Sequence, residues 1–208
     1  MRNADPAFVA ALAGARDTGI VPRRFVYFTV REWNTGLPFG LGVWTGDDDV
    51  TVSLQSGLTG DTVTRDYHGD GNVLQTSPIP RVADLTIQTV TITLSQIADV
   101  TQLLTRGYDI RLGKVEIHDA LLDPKTRQLI SAPQIVFMGE IDGSPIATPK
   151  AGEDGTIEIK AVSDAISMLT RKNPAKSSYE GQKRRGGDEA GKYSSTIATW
   201  RIPWGEKQ

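Results

Sequence analysis

Cysteine is absent from this sequence, which removes thiol catalysis, disulfide frameworks, cysteine-ligated zinc and cysteine-ligated iron–sulfur clusters. Histidine occurs only as His68 and His118, so a site built from several imidazoles is not expected. No apolar run approaches the roughly 18 to 20 residues that span a bilayer. Near the N-terminus Arg16 and Asp17 close the apolar stretch too early for a secretion leader, and a soluble protein not exported by the general route is expected. Common enzyme patterns are missing as well. There is no Gly-x-Ser-x-Gly elbow, no phosphate loop ending in Lys-Ser or Lys-Thr, and no dinucleotide fingerprint after a strand. The expectation is a protein without catalysis, resident metal or cofactor.

What remains is glycine-rich and unevenly charged. Glycine numbers 21 of 208 residues, a turn-rich composition. The net charge of −2 hides a division: residues 1–170 carry 14 Lys and Arg against 21 Asp and Glu, whereas residues 171–208 carry nine against four. An acidic body with a basic end suits pairing between copies, although basic tails also bind nucleic acid. Against that second use, the body is acidic and the basic run Lys183, Arg184, Arg185 has little aromatic interleaving.

Periodicity predicts a mainly β protein, an antiparallel barrel-like or sandwich-like domain with short helices and an extended C-terminal arm. Residues 1–22 read as a helical strap: Asp5 is positioned as N-cap, Pro6 needs no N–H there, and Phe8, Val9 and Leu12 share a face. Residues 23–170 read as the β domain and 171–208 as the arm. Residues 25–33 are dense in aromatic and β-branched side chains and predict a strand. Hairpins are expected around residues 46–49 and 68–71, giving an antiparallel meander. Residues 85–94 alternate as a strand with a phase slip near Val90. A helix follows from Ser95, with Ile97, Val100, Leu103 and Leu104 on one face and Gly107 ending it. Strands are expected at 108–117, 134–141 and 156–162, with a turn at 120–124 and a short helix at 163–170.

Three groups carry charge in suggestive patterns. Asp47, Asp48 and Asp49 form the densest acidic run, but the spacing completes no calcium loop, so a solvated tip is the simpler reading. Asp66, Asp70 and Asn72 sit among glycines and read as a turn. His118 stands between Glu116 and Asp119 as a conceivable acid–base set, yet on a strand His118 and Asp119 face opposite ways, which favours a structural histidine.

The end of the chain is the most distinctive stretch. Residues 177–192 are glycine-rich and basic and read as an arm or loop. Tyr193, Trp200 and Trp204 follow, and large aromatics are not what a disordered tether carries. Two uses stay open for the tryptophans: capping the chain's own core, or docking on a partner.

Four segments in order carry a family likeness: Ile-His-Asp-Ala-Leu-Leu-Asp-Pro at 117–124, Phe-Met-Gly-Glu-Ile-Asp-Gly at 137–143, Ile-Glu-Ile-Lys-Ala at 157–161, and the run from Gln182-Lys183-Arg184 to Trp200-x-x-x-Trp204-Gly205. Together they resemble the baseplate hub proteins of long-tailed bacteriophages, prophages and gene transfer agents, over most of the chain from about Phe25. The resemblance implies a structural virion protein of the tail tip, assembled in the bacterial cytoplasm. It implies a ring, a homotrimer, between the distal tail ring and the central fibre, through which DNA passes without specific binding and which inserts in no membrane. Some relatives carry a cysteine-bearing portion linked to an iron–sulfur cluster; the lack of cysteine departs from that pattern. Lys183, Arg184, Arg185, Tyr193, Trp200 and Trp204 are then the expected partner interface. Asp47, Asp48, Asp49, Asp61, Asp66 and Asp70 are the expected channel-facing carboxylates, where fixed negative charge keeps a polyanion from adsorbing. Other readings are a distal tail ring protein, or a carbohydrate- or receptor-binding β domain of the tail with Trp33 and Trp44 as exposed aromatics. A peptidoglycan-cleaving enzyme would need a pocket with paired carboxylates.

Overall fold

The computed structural model describes residues 4–69, 74–80, 86–144, 155–166, 178–201 and 205. The chain divides into two units, Met1–Leu169 and Thr170–Gln208. The first unit opens with α1 (Pro6–Ala13), where the Asp5 carboxylate accepts from the Ala7 N–H at 2.8 Å, and α2 (Ala15–Thr18). Neither helix buries a residue, and Val9 and Leu12 remain exposed.

The body is mainly β. Its described strands are β1 (Val21–Glu32), β2 (Pro38–Trp44), β3 (Val50–Gln55), β4 (Thr62–Gly69), β5 (Gln75–Thr76), β6 (Thr89–Ser95), β7 (Tyr108–Leu122), β8 (Gln134–Gly143) and β9 (Thr156–Ser163). They form one mixed sheet in the order β3-β4-β2-β1-β7-β8-β9-β6-β5. Every pairing is antiparallel except β2 with β4, which run parallel through Gly42↔Tyr67, Val43↔His68 and Trp44↔Gly69.

That parallel pair corrects the expected meander. β2 and β3 do not form a hairpin, because β4 lies between them, and β4 and β5 stand far apart in the sheet. Glycine makes the insertion possible: a Cβ on Gly42 would collide with the Asp66 carbonyl oxygen and stand 2.6 Å from the Tyr67 ring. Trp44 shapes the connection by donating its indole N–H to the Asp48 carbonyl at 2.7 Å.

Two cores explain the burial pattern. Val26, Phe28 and Val30 of β1 and Val115 and Ile117 of β7 share one core with Val90, Ile92 and Leu94 of β6 and Ile157 and Ile159 of β9. Through Phe137 and Ile141 of β8 this core runs continuously along one face of the neighbouring strands β1, β7, β8, β9 and β6. On the opposite face the β3–β4 hairpin folds over β1 and β7, enclosing Phe25, Trp44, Val52, Leu54, Tyr67, Ala120 and Leu122. Each large apolar side chain so enclosed contributes about 1.5–3 kcal/mol. β1 and β7 are therefore covered on both faces. Phe25 and Val26 are buried in succession, as are residues 115–118, and the polar side chains of Glu116 and His118 go inside with their neighbours.

Other boundaries shift for local reasons. Residues 120–122, expected in a turn, continue β7 by pairing with β1, and the turn starts at Asp123, whose carboxylate accepts from the Lys125 and Thr126 N–H groups. β6 begins only at Thr89, and Ile87 is exposed. After it α3 (Asp99–Gln102) runs into a π-helical turn, Leu103–Gly107. Of the expected apolar face, Val100 and Leu104 pack on the core with Thr101 buried beside them, whereas Leu103, where the π turn begins, and Ile97, ahead of the helix, are exposed. The short helix expected at 163–170 falls largely outside the described residues.

In the second unit, Ser178 caps a one-turn helix, α4 (Tyr179–Lys183), by accepting from the Gly181 N–H at 3.2 Å. Consecutive turns lead to a 3₁₀ turn at Ile197–Thr199. Residues 178–201 of the arm are folded locally rather than extended, because capped turns satisfy backbone groups that an extended single strand leaves to water.

Candidate functional site

The polar cluster inside the body centres on β7. Arg65, reaching across from β4, donates to Glu116 Oε1 at 2.8 Å, and the Gly57 N–H donates to Glu116 Oε2 at 2.6 Å. Ser56 contacts the same carboxylate at 3.3 Å. Glu116 is 1 % exposed; burial alone would raise its pKa, but Arg65 and the Gly57 N–H outweigh that and hold it below the usual carboxylate value. His118, fully buried, donates its Nε2–H to the Gln55 carbonyl at 3.1 Å, which fixes the neutral tautomer, and Nδ1 has no partner. Burial pushes its pKa down, because a second N–H would find no acceptor. The Arg65 guanidinium lies 3.9 Å over the Tyr27 ring. Beside it burial drives the Tyr67 phenol up to about 12, against the pull of the Arg65 charge.

This geometry decides the conceivable acid–base set. Asp119 faces away and pairs with Arg24 at 2.8 Å, and His118 Nε2 stands 3.9 Å from Glu116, too long for a hydrogen bond. What the cluster does is clamp the β3–β4 hairpin onto β7. Arg65, Ser56 and Gly57 were not singled out in the sequence, since no local spacing links them to residue 116.

The expected acidic residues separate into two places. Asp47, Asp48 and Asp49 lie exposed in the β2–β3 connection. Asp49 accepts from the Gly69 N–H and from His68 Nδ1, both at 3.1 Å, and these bonds lower its pKa. Asp66 is exposed nearby on β4, accepting from the Thr51 hydroxyl at 2.6 Å. Asp61 sits at the opposite end of the same hairpin, beyond the Gln55↔Thr62 pair, so it does not join them. Asp70 lies outside the described residues. No group of three or more histidines and carboxylates placed to hold a metal occurs among the described residues.

Of the expected interface, Lys183, Arg184 and Arg185 are exposed, with the Lys183 ammonium 5.6 Å from the Tyr179 ring centre. Tyr193 and Trp200 are 57 % and 59 % exposed with ring centres 6.4 Å apart, and Ile197 between them is also exposed. Three large side chains thus spaced at i, i+4 and i+7 remain unburied. Trp204 lies outside the described residues. Of the aromatics considered for ligand contact, Trp44 is spent on the core, stacked on Phe25 at 5.1 Å, whereas Trp33 is 56 % exposed.

Two of the grooves on the body each exceed 500 Å³. One, of about 570 Å³, lies between α1 and the sheet, walled by Phe8, Leu12 and Leu121, with the Arg24–Asp119 pair in its floor. The other, of about 600 Å³, runs beside β7 at residues 109–112 and the end of β8. No protein-family model matches the sequence, and no curated protein matches it.

Proposed function

We propose that this chain is a structural component of a phage or phage-like tail tip, a baseplate hub subunit that assembles as a homotrimeric ring between the distal tail ring and the central fibre and lets DNA pass. The observation that carries the reading is the exposed row of Tyr193, Ile197 and Trp200 on a basic C-terminal unit. Such a row is costly to leave in water and suits seating in a partner. The family likeness supports the same reading in a second way. Three of its four segments fall on β7, β8 and β9, which are consecutive neighbours in the sheet and so form one continuous piece of the body.

In this assembly the aromatic residues anchor and the basic residues steer. Aromatic anchors in desolvated pockets are worth roughly 2 kcal/mol or more each, whereas exposed ion pairs give roughly 0–1. Lys183, Arg184 and Arg185 meet the acidic surface of a neighbouring body, and Asp47, Asp48, Asp49 and Asp66 supply negative charge at one end of the β3–β4 hairpin for the channel wall.

Native mass measurement and imaging of particle tails test this. A ring of identical subunits at the tail tip is expected. Trp200→Ala together with Trp204→Ala is expected to block tail completion while the body stays folded, and neutralising the three basic residues to do less. A stable monomer at micromolar concentration that is absent from particle tails refutes the reading, as does a basic channel wall for the role of the carboxylates.

A further inference from the structure

A bulge of unusual size interrupts the central strand pair. Between Thr29↔Lys114 and Arg31↔Asp109, residues 110–113 of β7 stand against Val30 alone. The excess chain is thrown outward with Leu112 in the left-handed region, at φ 55, and 72 % exposed. Gly113 follows where a Cβ would stand 3.0 Å from the Ile110 carbonyl and 3.1 Å from that of Thr29. A leucine held in a strained conformation in order to sit in water marks a place shaped by something other than folding.

The bulge forms one wall of the groove of about 600 Å³, with Arg31, Asp109, Arg111, Asp142 and Ser144 supplying its polar lining. Arg111 is held rigid by two 2.8 Å bonds to the Asp109 carboxylate, and its guanidinium lies 5.6 Å from the ring centre of Trp33. The Ser144 hydroxyl is buried and has no hydrogen-bond partner among the described residues. The groove is within the range of small-ligand sites.

From this arrangement we infer that the groove between the β7 bulge and the end of β8 binds a neutral saccharide, with Trp33, which stands beside Arg111 outside the groove's lining, as the flat surface onto which the sugar chain extends. The lining charges balance, two guanidinium groups against two carboxylates, which disfavours both a polyanion and a polycation. Carboxylates accept and guanidinium groups donate, and a row of hydroxyls needs both at once. The indole offers an apolar face to the C–H side of a pyranose, and the Ser144 hydroxyl gains the partner it lacks. This site is separate from the C-terminal unit and does not depend on the tail-tip reading, which is judged by assembly rather than by sugar binding.

Saturation-transfer NMR and calorimetry on the full chain test it, with maltohexaose, cellohexaose, mannohexaose and chitohexaose as neutral probes and a heparin hexasaccharide as the polyanionic control. At least one neutral probe is expected to bind with a Kd of about 0.1–5 mM, a range usual for few-contact ligands. Trp33→Ala is expected to weaken it about tenfold or more and Asp142→Asn severalfold, with thermal midpoints unchanged because both side chains are exposed. No binding by any neutral probe, binding of heparin alone, or binding indifferent to both substitutions overturns the inference. So does a result in which Trp33→Ala changes only the oligomeric mass, since that makes this surface a contact between copies.

Discussion

Replacing Arg65 with alanine strands a carboxylate that is 1 % exposed. Glu116 keeps the Gly57 N–H at 2.6 Å and the Ser56 hydroxyl at 3.3 Å, but no counter-charge. Breaking a buried pair from one side costs about 3–5 kcal/mol. With a urea m-value of about 2 kcal/mol/M, the unfolding midpoint falls by about 1.5–2.5 M. The pH dependence identifies the cause. In the native protein the Glu116 pKa is held below its ordinary 4.5, so its contribution is present above that value and is lost as pH falls through the lowered folded one. Without Arg65, burial dominates and raises the folded pKa, so the variant favours a protonated Glu116 and its deficit narrows from pH 7 to about pH 4. Arg65→Met combined with Glu116→Gln removes the charge from both sides, keeps an acceptor for Gly57, and is expected to recover most of the loss. A deficit under about 1 kcal/mol at pH 7, or one that is unchanged at pH 4, refutes the clamp.

His118 acts in a higher pH window. Its folded pKa lies below the ordinary 6.5, so the native protein loses stability as pH falls from there through the folded value, and His118→Gln, which keeps a donor for the Gln55 carbonyl, is expected to flatten urea midpoints measured at pH 7, 6 and 5. Gly42→Val is expected to cost more than about 2 kcal/mol in thermal unfolding because β4 cannot retreat from β2, whereas Gly36→Ala, at φ 68 but with open space around it, costs about 1. Equal losses at the two glycines count against close packing of the parallel pair.

The strands of the body are legible because period two and β-branched residues speak locally. β1, β7, β8 and β9 lie where residues 25–33, 108–117, 134–141 and 156–162 place them to within a few positions, and Asp5 caps the first helix as its spacing predicts. Pairing is another matter. The Gly/Asp turns at 46–49 and 68–71 look like hairpin tips, and only the close approach permitted at Gly42 reveals that β4 has come in beside β2. The helix after β6 is legible in part: Val100 and Leu104 face the core as expected, but Leu103, where the π turn begins, is exposed, and Ile97 lies ahead of the helix.

The clamp was hidden by sequence distance, since Ser56, Gly57 and Arg65 lie 60, 59 and 51 residues from Glu116. What the sequence does carry is the consequence: a strand whose consecutive residues Val115, Glu116, Ile117 and His118 mix apolar with ionisable side chains cannot alternate into solvent and core. If both faces are covered, Glu116 needs a counter-charge and His118 must stay neutral, and both conditions are met by the hairpin that covers them. The acidic and basic groups read from composition differ in kind. The residues most easily found by counting charge, Asp47 to Asp49 and Lys183 to Arg185, lie exposed, and the contacts that Asp49 makes with His68 and the Gly69 N–H follow from the β4 placement that no local pattern announces.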